Sequence, residues 1–287
     1  MSATGIHPAT FARLRPVRDR LAARMAPDSG WSIDLRVSKE EILTVAGVSL
    51  RFGGLQALDD VTLVARSGEV TGVIGPNGAG KTTFFNCISG LYTPDRGEIT
   101  FEGKPLRGSV VARGRGGLGR TFQNPRLFAS LSVLDNLLLG CAVAESTGRP
   151  YQFEPGLARL RRPERAERVA RLVGFRGDLA RRAGDLAFGD LRVVELARAL
   201  CAAPALLMLD EPASGLDAEQ ASDLVWLLRH LADLGLAILL IEHDMEVVMG
   251  VSDSITVLNF GTVLAQGTPL EVQADEAVID AYLGRSA

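Results

Sequence analysis

A chain of 287 residues that is 47% hydrophobic and 23% charged has the composition of a globular α/β protein, and one principal domain with its own core is the economical reading. Its formal net charge of -3 argues against a protein that coats a nucleic-acid backbone, which needs positive charge in excess. Three widely separated cysteines, Cys87, Cys141 and Cys201, build neither a disulfide framework nor a zinc knuckle and point to a reducing compartment.

In chain order, residues 1–40 come first as a basic extension. Pro8, Pro16 and Pro27 interrupt it, Arg13, Arg15, Arg18, Arg20 and Arg24 crowd it, and no periodicity is sustained. A disordered tail is expected, with Met25 an alternative start and Leu14, Val17, Leu21 and Met25 a weak amphipathic pattern for an anionic lipid surface. The start lacks the apolar segment and small-residue cleavage site of a secretory signal.

Strand-like segments follow at Ile42 to Leu50, Leu58 to Ala65 and Val70 to Ile74. The third is uniformly apolar and runs straight into a glycine loop, as a buried parallel strand does. Thr82 to Gly90 reads as the next helix. Between Gln123 and Asp185 the character turns helical: Ser132-Val133-Leu134-Asp135 resembles a capping box, and Pro163-Glu164-Arg165 opens a charged helix through Leu172. Residues 124–185 are therefore expected as a helical subdomain inserted into a domain spanning 41–287. A helix (Asp190 to Leu200), a strand (Ala205 to Leu209), a helix (Asp217 to Leu234) and a strand (Ala237 to Ile241) follow. Ile255 to Leu258 and Thr262 to Ala265 close as a hairpin. This alternation predicts an α/β fold with a parallel sheet covered on both faces. The longest apolar run, Ala199 to Leu209, is interrupted by Pro204 and falls short of the ~20 residues that span a bilayer, so no membrane crossing is expected.

The chemistry begins at Gly75-Pro76-Asn77-Gly78-Ala79-Gly80-Lys81-Thr82, a G-x-x-x-x-G-K-[ST] phosphate loop between a strand and a helix. Its glycines let backbone N–H groups turn inward on phosphate, Lys81 suits the β and γ oxygens, the Thr82 hydroxyl suits magnesium, and Thr83 is counted with the nucleotide-binding residues. Leu206 to Glu211 is an apolar strand ending in two carboxylates, of which Asp210 suits a magnesium contact and Glu211 general-base work on water. ATP and Mg2+ are the expected ligands.

With these parts in this order, the chain resembles the nucleotide-binding subunit of an ATP-binding-cassette (ABC) transporter from about Val45 onward. Arg120-Thr121-Phe122-Gln123-Asn124-Pro125-Arg126-Leu127-Phe128, Leu186-Ala187-Phe188-Gly189, Ile241-Glu242-His243-Asp244-Met245 and Ala281-Tyr282-Leu283-Gly284 resemble the ATPase subunits of branched-chain amino-acid importers. The resemblance implies a P-loop core with an antiparallel β subdomain and a helical insert. It implies that Gln123 contacts magnesium and the attacking water while sensing a membrane partner, that His243 bonds the γ-phosphate, and that Phe52 stacks on adenine. Ser214-Gly215-Leu216-Asp217 would face the other subunit's site. The signature segment departs from Leu-Ser-Gly-Gly-Gln: Ala187 stands for the serine, Phe188 for the first glycine and Asp190 for the glutamine. Ala187 and Gly189 would then meet nucleotide through main chain and helix dipole.

The implied assembly is a head-to-tail pair with a second ATP-binding subunit, a heterodimer before a homodimer, on the cytoplasmic face of the membrane. Permease subunits would dock a short helix near Gln123, Phe128 and Leu131, and a periplasmic or extracellular substrate-binding protein would act indirectly. Import of urea or another amide, lipid export, and a soluble ABC ATPase acting on DNA or ribosomes are the alternatives.

Overall fold

Apolar runs broken by glycine turns give two sheets in the computed structural model, which describes residues 39–283. The expectation for the basic extension, except at Lys39 and Glu40, lies outside the described residues, as does Gly284. The chain opens with a long hairpin, β1 (Glu41–Phe52) and β2 (Leu55–Arg66), whose two-residue loop is Gly53-Gly54. Next come β3 (Val70–Ile74), α1 (Lys81–Ser89), β4 (Arg96–Phe101), β5 (Lys104–Pro105), α2 (Val110–Arg115) and β6 (Leu118–Arg120). A helical stretch follows, with α3 (Val133–Thr147), α4 (Arg162–Leu172) and α5 (Phe188–Cys201). The chain then returns to alternation through β7 (Leu206–Asp210), α6 (Ala218–Asp233), β8 (Ala237–Ile241) and α7 (Met245–Val251). It finishes with β9 (Ser254–Asn259), β10 (Thr262–Gly267), α8 (Pro269–Ala274) and α9 (Glu276–Leu283).

The antiparallel sheet has the order β2-β1-β4-β5, and the second sheet the order β10-β9-β3-β8-β7-β6. In the second, β9, β3, β8, β7 and β6 run parallel and only β10 is antiparallel. Every residue of β3, β7 and β8 is buried, which explains their unbroken apolar character. The two-residue period still sorts them by face. Leu206, Met208, Ala237, Leu239 and Ile241 join a core with α1 and the antiparallel sheet, whereas Leu207, Leu209, Ile238 and Leu240 face the core built by α3 to α6.

Helix starts follow local chemistry. Ser132 caps α3 by accepting the Asp135 N–H at 3.0 Å, and Asp217 caps α6 by accepting the Gln220 N–H at 2.9 Å. The helix expected from Asp190 starts two residues earlier, at Phe188, and the one expected from Thr82 starts at Lys81. The short strands β4, β5 and β6 were not among the expected elements. They gain their regularity from pairing, β4 with β1, β5 with β4 and β6 with β7, not from any pattern of their own. The segment after Gln123 is held to α3 by Asn136, which is fully buried. Its Oδ1 accepts the Phe128 N–H at 2.9 Å, and its Nδ2 donates to Phe128 O at 3.1 Å and Ser132 O at 2.9 Å.

Asn136→Ala strands those backbone groups in the interior and is expected to lower the unfolding free energy by about 2 kcal/mol. Hydrogen exchange should show the Phe128 amide losing protection before the strands do, and unchanged stability would refute this role for Asn136.

Candidate functional site

The parallel strands β3, β8, β7 and β6 end along one edge, and the loops leaving that edge carry the polar residues. Leaving β3, the chain must turn in tight quarters. A Cβ on Gly75 would lie 2.0 Å from Leu258 O, and Gly80 has φ +100 with Ala57 O 2.8 Å from where its Cβ would be, so glycine alone fits both places. Lys81 Nζ donates to Gly75 O at 2.7 Å and Pro76 O at 3.0 Å, so the loop is wrapped around its own lysine. Burial pushes the Lys81 ammonium pKa down, and the charges of Glu211 and Asp210 oppose that shift. Asn77, Gly78 and Thr82 are exposed, Pro76, Gly80 and Thr83 half-buried, and Ala79 buried. No acidic residue occupies the first turn of α1, which leaves the positive end of the helix open to an anion.

Two strands away, Asp210 ends β7 beside Arg120, which ends β6. The Arg120 guanidinium lies 3.3 Å from Asp210 Oδ2 and donates to Asn86 Oδ1 at 2.9 Å and Ser89 Oγ at 2.7 Å. It also packs 5.0 Å from the Phe122 ring centroid. Burial raises the Asp210 carboxyl pKa, and Arg120 pulls it back. Arg120 therefore ties the β7 acid to α1, a link that sequence spacing did not disclose.

Glu211 takes a left-handed backbone, φ +49, with its N–H donated to Ile241 O at 2.9 Å. Gln123 Nε2 donates to Glu211 Oε2 at 2.9 Å, and His243 Nδ1 lies 3.7 Å from the same oxygen. The three residues singled out for catalysis thus meet on one carboxylate, although 120 positions separate Gln123 from His243 in the chain. Behind them, fully buried Glu242 accepts the Ala213 N–H at 2.6 Å and the His243 N–H at 3.1 Å. It staples the turn after Glu211 to the end of β8. Buried Glu195 on α5 likewise accepts the Arg126 N–H at 2.7 Å. Sequence reasoning assigned no role to Glu242 or Glu195. The available signal was an acidic residue at an otherwise apolar position.

Other singled-out residues stand apart from this cluster. Phe52 is exposed at the end of β1, its ring edge-on to Tyr92 with centroids 5.1 Å apart. Ala187 is the N-cap of α5 and offers no side-chain cap, while Gly189 and Asp190 lie in the first turn. Phe128 is exposed and Leu131 half-buried.

The description "ABC transporter" matches residues 58–214. The chain belongs to the ABC transporter ATP-binding family. This cassette is 42% identical over 253 residues to the high-affinity branched-chain amino acid transport ATP-binding protein LivG of Salmonella typhimurium, covering 86% of this chain and 99% of that protein. It is 42% identical over 255 residues to BraF of Pseudomonas aeruginosa, with the same descriptive name, covering 85% and 98%. Among solved structures, the ADP conformation of the cassette MJ1267 superposes with a TM-score of 0.73 at 30% identity, covering 85% of this chain and 99% of that one. A second description, "Branched-chain amino acid ATP-binding cassette transporter", matches residues 262–287. The cassette binds nucleotide and is an ATPase of the transport-coupled ABC type. The expected fold is the observed one, and no helix among the described residues is long and apolar enough to cross a membrane.

Burial raises the Glu242 carboxyl pKa, only partly offset by the N–H groups of Ala213 and His243. A carboxyl with a raised folded pKa holds more protons folded than unfolded, so its contribution to stability falls as pH rises from the ordinary carboxylate range through its folded value. Glu242→Gln removes that dependence. Its stability deficit against the wild type should therefore shrink as pH rises through that window in paired denaturation curves, and a deficit that widens would contradict the assignment.

Proposed function

We propose that this cassette powers import of branched-chain amino acids, hydrolysing ATP with Glu211 as general base, Gln123 orienting the water and His243 contacting the γ-phosphate. The observation that carries the reading of cargo is the likeness to LivG and BraF across nearly their whole length, with the separate match of the C-terminal residues 262–287. A urea importer, a lipid exporter and a soluble ATPase lack such support.

The site chemistry follows from the residues. Main-chain N–H groups of the 75–80 loop and the open end of α1 bind phosphate oxygens, and Lys81 adds a charge already poised by its carbonyl contacts. Thr82, Asp210 and Gln123 offer hard oxygen donors suited to Mg2+. Asp210 is a fitting partner, because its carboxyl is held upward by burial and stands to gain from a second cation beside Arg120. When bound, Mg2+ neutralises charge on the β and γ oxygens. The Glu211 carboxylate, steadied by Gln123, takes the proton of the attacking water.

Ala187 and Gly189 present main chain at the N-terminus of α5 to the phosphate of a second ATP-binding subunit, and Phe52 supplies a face for adenine. The 124–185 region, with Gln123, receives a helix of the permease at the cytoplasmic face of the membrane. A periplasmic binding protein acts through that permease.

Glu211→Gln is expected to lower the ATPase kcat by roughly 100-fold or more while ATP still binds and holds two cassettes closed. Lys81→Ala should lose ATP binding itself. Turnover in the Glu211→Gln protein near the wild-type rate would refute the role. Reconstituted with its membrane subunits and binding protein, the cassette should drive uptake of leucine, isoleucine or valine. Uptake of urea alone would overturn the reading of cargo.

A further inference from the structure

Arg192 lies one turn beyond Phe188 on α5, and its guanidinium reaches across to the loops at the sheet edge. Nη1 donates to Glu211 O at 3.1 Å and to Pro212 O, and Nη2 donates to Gln123 O at 3.3 Å. The Phe188 ring centroid lies 4.8 Å from the same group. One side chain on the signature helix therefore grips the main chain of both residues whose side chains meet at 2.9 Å. Two features make that grip matter. Glu211 holds φ +49 immediately before Pro212, a left-handed conformation that a non-glycine residue keeps only with outside support. A cavity of about 330 Å³ also opens between α5 and α6, with Phe122, Val193, Leu196, Leu224 and Trp226 among its walls. Beside that cavity, the Arg192 bonds are polar contacts that tie α5 to the loops at the sheet edge.

Resting on the reading that Gln123 and Glu211 carry hydrolysis, we propose that Arg192 is a positioning residue that sets their contact and makes it depend on the seating of the signature helix. A planar guanidinium with several donors suits this task, since three carbonyls from two loops must be held at once. Any displacement of α5 pulls the Gln123 and Glu211 backbones with it. The signature segment and the hydrolytic pair then form one mechanical unit within a single cassette.

The test uses the full-length chain co-purified with its membrane subunits, comparing Arg192→Ala, Arg192→Lys, Gln123→Ala, Glu211→Gln and the Arg192→Ala/Gln123→Ala double variant in steady-state ATPase assays. Arg192→Ala should lose about tenfold in kcat with KM for ATP within about twofold, the signature of an effect on the transition state rather than on binding. Arg192→Lys should recover part of the loss, because a single ammonium keeps donors but not the fork. The double variant should be no slower than the slower single one, since either change already breaks the same contact. Should Arg192→Ala prove unstable, Arg192→Gln carries the comparison on the same criteria. An unchanged kcat, a loss confined to KM, or fold-losses that multiply in the double variant overturns the proposal. Glu211→Gln separates the two failures. If it keeps turning over, the assignment of Glu211 is wrong, and if it is inactive while Arg192→Ala is unaffected, only the role of Arg192 is.

Discussion

The polar side chains that meet on Glu211 gather at the carboxyl edge of a sheet whose central strands are buried on both faces. Along β3, β7 and β8 every residue is buried, so charged groups gather where the strands stop, and each must be satisfied at once. The Arg120 and Asp210 pair shows the cost and the remedy. Both are nearly buried, and desolvation works against both charges. Arg120 offsets this with Asn86, Ser89 and two aromatic rings as further neighbours. Removing one partner of such a pair strands the other, so the phosphate-loop helix, β6 and β7 are constrained as a unit.

That constraint explains which features were legible in the sequence. The phosphate loop could be read because its requirements are local: a strand, glycines where a side chain would strike Leu258 or Ala57 backbone, then lysine and threonine at the helix start. Asp210 and Glu211 were legible as acids ending an apolar strand. The resemblance supplied Gln123 and His243, and the structure brings both to Glu211. Arg120, Glu195 and Glu242 had no local signature, because each works through a partner from a distant segment. Strands β4 to β6 were hidden for the same reason, being short and defined by the strand they pair with.

The signature segment is a case where local structure limits chemistry. Ala187 caps α5 without a side-chain acceptor, and Asp190 places negative charge in the first turn. That charge is favourable to the isolated helix but partly cancels the positive end that would attract phosphate. What remains is main chain at Phe188 and Gly189. A segment built this way depends on how the helix is aimed more than on any one side chain, and α5 is aimed by its bonds to Arg126, Gln123, Glu211 and Pro212.

The adjacent acids Asp210 and Glu211 show how one turn of backbone separates two roles. Continued extended pairing would have carried Glu211 on as another strand residue, and the following Pro212 favours such an extended conformation. Instead φ at Glu211 swings to +49, while its N–H stays bonded to Ile241 of β8. The strand therefore ends without losing its last ladder bond. Asp210 is left desolvated against Arg120, and Glu211 turns out to meet Gln123 and His243. Two carboxylates with like chemistry thereby acquire unlike surroundings, one suited to holding a cation and the other to taking a proton. The strained residue is the one that makes the difference, which is the physical reason a conformation so poorly matched to its own sequence persists here.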